Sequence, residues 1–454
     1  MESLIKLNNK IGWRLIGNEI VAFNCATQEV AVFNETAAVL WPLLARGITL
    51  HDLASELLKK FGLSYMQAWH DSNVFLGELA EQHYLDDELR CIPMKTESGV
   101  VQSDGQQALL SIEMKAIELL IPFAVTFEVT YSCNENCIHC YMEHNLPSLK
   151  LHDIRHILEQ LSKAGTLFVS FTGGEFFTRP DALSIIKYAD ELHFTIDILS
   201  NGTLITDDVA KELSIRKVRR VQVSLYGATA QTHDSVTNLS GSFNQTIVGI
   251  RRLRECGIKV EIAYPMLQHT FHERYRVREL IQSLGCIMSP SPVITPRNNG
   301  RLDTLELRIT NEQLEDFLAN RELSETYAGR PPFEEHKLYF GFSNLLEAAP
   351  CYSGFNTCAI TPVGKVLPCN QFLVEVGDLH KQTFKQIWRN SSQLQFLRNI
   401  KISNLSCATC SLLHLCARCP GLALLEGGSM FGNSPENCRI AQVRNKLRRK
   451  EEAI

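Results

Sequence analysis

The chain has 454 residues, with 45 Lys and Arg against 50 Asp and Glu and a formal net charge of −5. That length allows two or three domains with cores of their own, and the near-balance of charge gives no steer towards nucleic acid or an acidic membrane. Met1 to Lys10 has no continuous apolar core of the kind a signal peptide needs, and no uncharged run of about eighteen apolar residues could span a bilayer, so the fifteen cysteines point to metal binding in the cytoplasm rather than to disulfides.

Three short strands are expected first, near Gly12–Ile16, Ile20–Asn24 and Glu29–Phe33, separated by turn residues. Helical spacing then takes over. Leu40, Leu43 and Leu44 share one face, Leu50, Leu53, Leu57 and Leu58 a second, and Trp69, Val74, Leu76 and Leu79 a third. Asn34 suits an N-cap and Gly62 a helix stop. Three strands followed by three helices make a winged-helix-like unit over residues 1–91. Its third helix lacks the Lys/Arg cluster of a DNA reader. Residues 92–108, with Pro93, Gly99 and Gly105 among polar residues, read as a linker.

From Leu109 to about residue 330 strand and helix patterns alternate. An apolar run, Phe123 to Val129, precedes Cys133-x3-Cys137-x2-Cys140. Further strands are expected at Leu167–Phe171, Phe194–Leu199, Val221–Leu225, Lys259–Pro265 and Cys286–Ser291, with helices such as Asp153–Ala164 and Ser242–Cys256 between them. This repetition predicts an α/β fold, a parallel and at least partly closed β/α barrel with its chemistry at the strand C-terminal ends. The three cysteines fall at such an end. Zinc in a structural site wants four protein ligands, whereas a [4Fe–4S] cluster held by three thiolates keeps one iron open to a ligand. Thr172-Gly173-Gly174-Glu175 ends the second strand, where the glycines permit close backbone approach and the carboxylate can pair with an ammonium group. Ser200-Asn201-Gly202 ends the third strand and Ser224-Leu225-Tyr226-Gly227 the fourth. His193 and His233 read as surface or structural.

Residues 331–454 carry a second set of thiols: Cys351, Cys358 and Cys369, then Cys407-x2-Cys410-x5-Cys416-x2-Cys419, then Cys438. Eight cysteines are the number that two four-ligand clusters require. Two structural zinc sites are the alternative. Cys25, Cys91, Cys256 and Cys286 stand outside both sets and read as ordinary buried thiols. The basic run after Cys438, from Arg439 to Lys450, reads as a solvated helix end.

The cysteine triad resembles that of the radical S-adenosylmethionine (radical SAM) superfamily, and its strand-end company agrees. The resemblance implies a partial (β/α)6 barrel in which Gly173, Gly174 and Glu175 hold the methionine amino group. Ser200 and Asn201 would bond the ribose hydroxyls, Ser224 would contact the nucleoside or methionine, and the backbone at His139 would meet adenine. Phe176 departs from the Pro usual after Gly-Gly-Glu. The C-terminal set, with Gly364 five residues before Cys369, resembles a SPASM domain, although the Cys416–Cys419 gap is one residue shorter than usual. That resemblance implies one auxiliary cluster on Cys351, Cys358, Cys369 and Cys419, and a second on Cys407, Cys410, Cys416 and Cys438. The Phe33–Trp41 turn resembles the PqqD-like domain, whose family adds a leader peptide as an extra strand beside its third strand.

Together these imply three [4Fe–4S] clusters, S-adenosylmethionine, a precursor peptide and an electron donor such as flavodoxin or ferredoxin. They imply no nucleic-acid or membrane partner. The expected reaction is radical modification of a ribosomally made peptide, most similar to formation of a thioether from a Cys sulfur to a peptide carbon. Carbon–carbon crosslinking, oxidative decarboxylation and sulfatase-type maturation share the core. A non-catalytic, zinc-containing peptide binder is the alternative of a different class.

Overall fold

The computed structural model describes residues 4–86, 105–143, 147–324, 327 and 344–452. Most of the expected linker, the boundary near residue 330 and Cys91 lie outside these residues.

The N-terminal unit follows its sequence pattern closely. β1 (Ile11–Ile16), β2 (Glu19–Asn24) and β3 (Glu29–Phe33) form an antiparallel sheet in that order. Helices α1 (Glu35–Arg46), α2 (Leu50–Phe61) and α3 (Tyr65–Glu81) follow. Asn34 caps α1 by accepting from the amide of Ala37 at 3.1 Å, and Gly62 ends α2 in the left-handed region at φ 66°. Alternation along β2 sends Ile20 and Ala22 into a core with Leu40, Trp41, Leu53 and Leu76. Val21 and Phe23 face the other way. Val74 of α3 is only half-buried, because Ala68, Leu76 and Leu79 make the buried stripe instead.

That second face of the sheet closes on the barrel. Val21 and Phe23 share a core with Ile112 and Ala116 of α4 (Gly105–Glu118) and with Phe123, Leu167 and Phe168. α4 therefore takes the last four residues of the expected linker into a helix. The docking surface is the N-terminal end of the barrel. The amide of Trp13 donates to His193 O at 3.2 Å, Lys10 to Arg216 O at 2.7 Å and Gln28 to Arg219 O at 3.2 Å. Arg14 lies over the Phe194 ring at 4.3 Å. His193 is thus part of the docking surface, its ring tilted against that of Trp13 with centroids 5.3 Å apart.

The barrel consists of six parallel strands: β4 (Ala124–Thr130), β5 (Phe168–Gly173), β6 (Thr195–Ser200), β7 (Val218–Ser224), β8 (Val260–Pro265) and β9 (Ile287–Ser291). Helices cross between them, including Leu151–Ala164, Ala182–Glu191, Asp207–Ser214, Ser242–Glu255 and Arg274–Ser283. One face of each strand feeds the core beneath these helices, through residues such as Val169, Phe171, Ile196, Ile198, Val221 and Ile262. The alternate residues line the lumen and are polar: Glu128, Asp197, Arg220, Gln222 and Glu261. Asp197 and Glu261 sandwich Arg220, and Gln222 donates to Glu261 at 2.8 Å. Charges in the lower lumen are thereby paired with one another.

The C-terminal part does not stand apart from this sheet. β10 (Thr357–Ile360) pairs parallel to β4, and β11 (Lys365–Leu367) and β12 (Gly377–Asp378) continue the sheet antiparallel, giving nine strands. The helix Pro435–Glu452 packs on Asn311–Ala319. Its last basic residues, Lys446, Arg448, Arg449 and Lys450, are exposed, while some of its cations also have partners. Arg439 bonds Glu436 at 2.7 Å and Ile309 O at 3.0 Å, Arg444 bonds Leu415 O at 3.1 Å, and Lys446 and Lys450 both pair with Glu315. Among the described residues no helix is long and apolar enough to cross a membrane.

The shared core beneath the N-terminal sheet yields a prediction. Phe168 touches Phe23 and Phe123 edge-on at 5.6 and 5.3 Å. Phe168→Ala should cost about 3 kcal/mol of stability and lower the unfolding midpoint of the N-terminal unit and the barrel together in denaturant titration. A midpoint shift confined to one of them would mean that the two do not share this core.

Candidate functional site

β4 leads into the cysteine loop, and the loop is fixed by its neighbours on three sides. From β5, the amides of Gly174 and Glu175 donate to Thr130 O and Ser132 O, each at 2.9 Å. From the end of helix Ala230–Thr237, the amides of Asn136 and Ile138 donate to Thr237 O and Val236 O at 3.0 and 2.9 Å. Beyond β9, Arg297 donates to Cys140 O at 2.7 Å, and the amide of Asn298 donates to Tyr141 O at 2.8 Å. Sequence reasoning missed Arg297 and Asn298; their only signal was a Pro-Arg-Asn-Asn-Gly turn after the last barrel strand.

The two glycines also allow a close approach within the chain. A Cβ on Gly173 would overlap Thr130 O, and one on Gly174 would overlap Ser132 O and Tyr131 O. Gly173 also has φ 143°. Their smallness serves the seating of the cysteine loop on β5, backbone against backbone.

Cys133, Cys137 and Cys140 are half-buried on this loop. Burial raises all three thiols, Cys133 to about 11. A metal centre would supply the positive charge that thiolates at this buried place need. The amide of Glu135 already points at Cys133 Sγ at 3.5 Å. The same i+2 amide contact recurs at Cys351, from Ser353 at 3.4 Å, and at Cys369, from Gln371 at 3.5 Å. Amides aimed at sulfur suit thiolate ligands of an iron–sulfur cluster.

Glu175 is fully buried. It accepts from Ser200 Oγ at 2.9 Å, from the Phe177 amide at 3.0 Å and from the Asn201 amide at 2.6 Å. Burial still pushes its carboxyl up, those donors only partly opposing it. No Lys or Arg among the described residues pairs with it. A buried carboxylate short of a cation fits the ammonium group of S-adenosylmethionine.

Ser200 and Asn201 sit beside it, but they are already engaged. Ser200 gives its proton to Glu175 and accepts from the Gly202 amide at 3.0 Å. Asn201 Nδ2 donates to Asn134 Oδ1 at 2.9 Å, and Asn201 Oδ1 accepts from Thr203. Asn134 thus joins the cysteine loop to the end of β6. Ser224 reaches the hydroxyl of Tyr226. The His139 ring meets Tyr226 edge-on at 4.8 Å, and burial and nearby Arg297 push it down to about 4, so it is neutral. His233 is buried against Tyr226 and Phe243, a core residue rather than a surface one.

The second thiol set divides in two. Cys407, Cys410, Cys416 and Cys438 line one cavity of about 110 Å³, with the buried guanidinium of Arg418 beside them. Among the described residues no three His, Cys, Asp or Glu side chains converge closely enough for a single metal ion.

Cys369 and Cys419 are brought near each other by the packing of their flanking residues. A Cβ on Gly421 would overlap Gln371 O, so the helix start after Cys419 lies against the loop after Cys369. Cys419 and Gln371 also wall a cavity of about 350 Å³ shared with Gln222, Ser289 and Ser291 of the lumen. Cys358 departs from the expected ligand set. The register pairs it with Val125 and pairs Ile360 with Phe127, and all four lie in the outer core. It is 3% exposed, its thiol raised by burial. Cys369 neighbours Tyr141, which also feels lumen-facing Glu128. Cys369, two residues past the end of β11, is only partly buried against that core, whereas Cys358 lies within it. Single-sequence reading placed Cys358 with the ligands because it lies between two of them; strand parity places it away. Cys25 is buried at the junction with the barrel, and Cys256 and Cys286 are half-buried thiols packed on the main core.

Comparison with known proteins agrees with this geometry. Residues 127–281 match the Radical SAM superfamily, and residues 351–420 match an iron-sulfur cluster-binding domain, SPASM. The chain is 26% identical over 335 residues to the AdoMet-dependent heme synthase of Methanosarcina barkeri, spanning 69% of this chain and 95% of that one. It is 27% identical over 287 residues to the antilisterial bacteriocin subtilosin biosynthesis protein AlbA of Bacillus subtilis, spanning 60% and 61%. Its fold is similar to that of Streptococcus suis SuiB bound to precursor peptide SuiA, with a TM-score of 0.57 at 18% identity over 94% of this chain and 98% of that one.

Two substitutions separate the ligand groups. Gly174→Ala forces the cysteine loop off β5 and should remove about four iron equivalents from the reconstituted protein. Cys358→Ala should leave the iron content unchanged and lower stability by about 1 kcal/mol. Loss of iron in the second variant would return Cys358 to the ligand set.

Proposed function

Starting from the chain's being a radical SAM enzyme with a SPASM iron–sulfur domain, we propose that it modifies a ribosomally made precursor peptide, joining a Cys sulfur to a peptide carbon as a thioether. The observation that carries the peptide reading is the N-terminal unit. The heme synthase is matched over 95% of its length by 69% of this chain, which leaves nearly a third without a counterpart there. The likeness to SuiB runs over 94% of this chain. A unit of one small sheet and three helices is what a peptide-modifying enzyme needs in addition to the barrel. Among the described residues no strand pairs with the outer edge of β3, where Val32 is exposed. A leader peptide adding there would gain backbone hydrogen bonds and side-chain pockets.

Three clusters are assigned to the thiols. Cys133, Cys137 and Cys140 would hold the first, Cys351, Cys369 and Cys419 the second, and Cys407, Cys410, Cys416 and Cys438 the third. The first, reduced by a donor such as flavodoxin or ferredoxin in the cytoplasm, supplies the electron that turns S-adenosylmethionine into methionine and a 5′-deoxyadenosyl radical. The chain's own residues do the rest. Glu175 would hold the methionine ammonium, and Asn201, which bonds Asn134 on the cysteine loop, would turn to the ribose beside it. The ring of His139 and the Tyr226 hydroxyl border the adenine side. Arg297 and the helix end at Val236–Thr237 keep the loop rigid, so that the radical forms at one place. The walls of the 350 Å³ cavity keep water from it.

The test is reconstitution with S-adenosylmethionine, a strong reductant and a candidate cysteine-bearing precursor. Thioether formation removes two hydrogens from the peptide and one thiol from alkylation. Loss of two hydrogens with every thiol still alkylated would mean carbon–carbon crosslinking instead. Replacing Cys133, Cys137 and Cys140 together with Ala should abolish 5′-deoxyadenosine while the other iron remains. On the N-terminal unit, Val32→Asp should weaken binding of a labelled leader at least about tenfold, without changing 5′-deoxyadenosine release in the absence of peptide. A variant binding the leader as tightly as wild type would place the leader elsewhere.

A further inference from the structure

Two residues, Ala417 and Arg418, separate Cys416 from Cys419. In the assignment above these cysteines serve different clusters, so Arg418 stands on the short link between the third and the second. A long cationic side chain on such a link would ordinarily reach for water. This one does not. Arg418 is 1% exposed, among the largest fully buried side chains of the protein. It lies in the wall of the 110 Å³ cavity that Cys407, Cys410, Cys416 and Cys438 also line. Its Nη2 donates to Gly432 O at 2.7 Å and to Met430 O, so the loop before helix Pro435–Glu452 holds the guanidinium in place. Both of those acceptors are neutral, and the side chain also hydrogen-bonds Cys407.

Burying a cation is costly unless anionic charge faces it. The other wall residues of the cavity, among them Ser434, Ala441 and Gln442, carry no charge, so the four thiols are the groups that can supply it once they ligate iron as thiolates. The cysteine loop of the barrel has the opposite arrangement. There Cys137 Sγ lies 3.4 Å from Glu135 Oε2, and Glu135 is buried. One site keeps a carboxyl group beside a thiol, the other a guanidinium.

We propose that Arg418 sets the reduction potential of the third cluster, holding it above the value that the four thiolates alone would give. The proposal rests on the assignment of that cluster to Cys407, Cys410, Cys416 and Cys438. One-electron reduction takes the core from [4Fe–4S]2+ to [4Fe–4S]+, so that core and thiolates together go from about −2 to about −3. No bond forms or breaks and no proton moves. A guanidinium stays protonated at every working pH. A fixed cation favours the more negative state of its neighbour, and more strongly where water is excluded. Arg418 therefore makes the electron easier to accept. Cys438 lies in the first turn of helix Pro435–Glu452, whose peptide dipoles act in the same direction.

The test needs no peptide. The full chain carrying Cys133→Ala, Cys137→Ala and Cys140→Ala is reconstituted with iron and sulfide, so that only the auxiliary clusters contribute. It is then titrated with dithionite while electron paramagnetic resonance follows the reduced clusters. The third cluster's midpoint is the one missing when Cys410→Ala and Cys438→Ala are added. R418Q should keep that cluster's iron and lower its midpoint. At the wild-type midpoint the ratio of reduced to oxidised cluster should fall about tenfold, a shift of about 59 mV for one electron. R418K, which keeps a charge but not the planar fork, should stay within about threefold of wild type. An unmoved midpoint in R418Q overturns the proposal. So does an equal fall in R418K and R418Q, which would trace the effect to the lost bonds at Met430 and Gly432 rather than to charge. Where R418Q loses the cluster's iron, R418M is read in the same way, and loss of iron from both neutral variants overturns the proposal in favour of a part in assembly. Iron content unchanged by removing Cys410 and Cys438 removes the cluster assignment itself.

Discussion

Everything at the mouth of this barrel depends on two backbones meeting without side chains between them. Gly173 and Gly174 let the end of β5 lie against Thr130–Ser132, and two amide–carbonyl bonds seal the contact. That seating puts Glu175 next to the cysteine loop and aims Ser200 and the Asn201 amide at the carboxylate. A methyl group at either glycine would meet a carbonyl oxygen, which cannot swing aside as a flexible side chain can. The thiols, the carboxylate and the end of β6 are therefore placed as one unit.

The electrostatics around that unit lean one way. Burial raises the three thiols, Glu135, Glu175 and Glu128, and few cations are supplied to offset it. Arg297 spends its donors on backbone carbonyls and Asp303, and Arg219 and Arg220 are consumed lower in the lumen. Desolvating so many anionic groups without counter-charge is unfavourable. On the proposed reading the deficit would be relieved by positive groups from outside the chain, metal at the thiols and an ammonium at Glu175. At the far cavity Arg418 supplies one internal cation to four thiols.

Much of this was legible in the sequence because it depends on local pattern. Strand ends, the cysteine spacing, the Asn34 cap and the Gly62 stop are each set by residues within a few positions of one another. What was not legible depends on register and on distant packing. Cys358 looks like a ligand by spacing, yet a shift of one residue along a strand reverses the face a side chain takes. The parallel pairing with Val125 could not be inferred from either segment alone. The ion pairs of Lys446 and Lys450 on the exposed C-terminal helix were not legible because their partner, Glu315, lies more than a hundred residues earlier. Arg297 was missed for the same reason: its targets, the carbonyls of Ile138 and Cys140, are ordinary backbone. His193 and His233 carry no local signal that separates a packing role from an exposed one.

The docking of the small sheet on the lower end of the barrel has a geometric consequence. Its contacts are at Phe168, His193, Arg216 and Arg219, the starts of strands whose other ends carry the chemistry. A strand of six or seven residues, as these are, spans about 20 Å at 3.3 Å per residue. A peptide gripped at β3 must travel at least that far along the outside before it can turn into the mouth. Some six extended residues, and more with the turn, then separate the gripped segment from the first position the radical can reach. The enzyme would measure its substrate as a ruler does, ignoring cysteines placed too near the anchor whatever their surroundings.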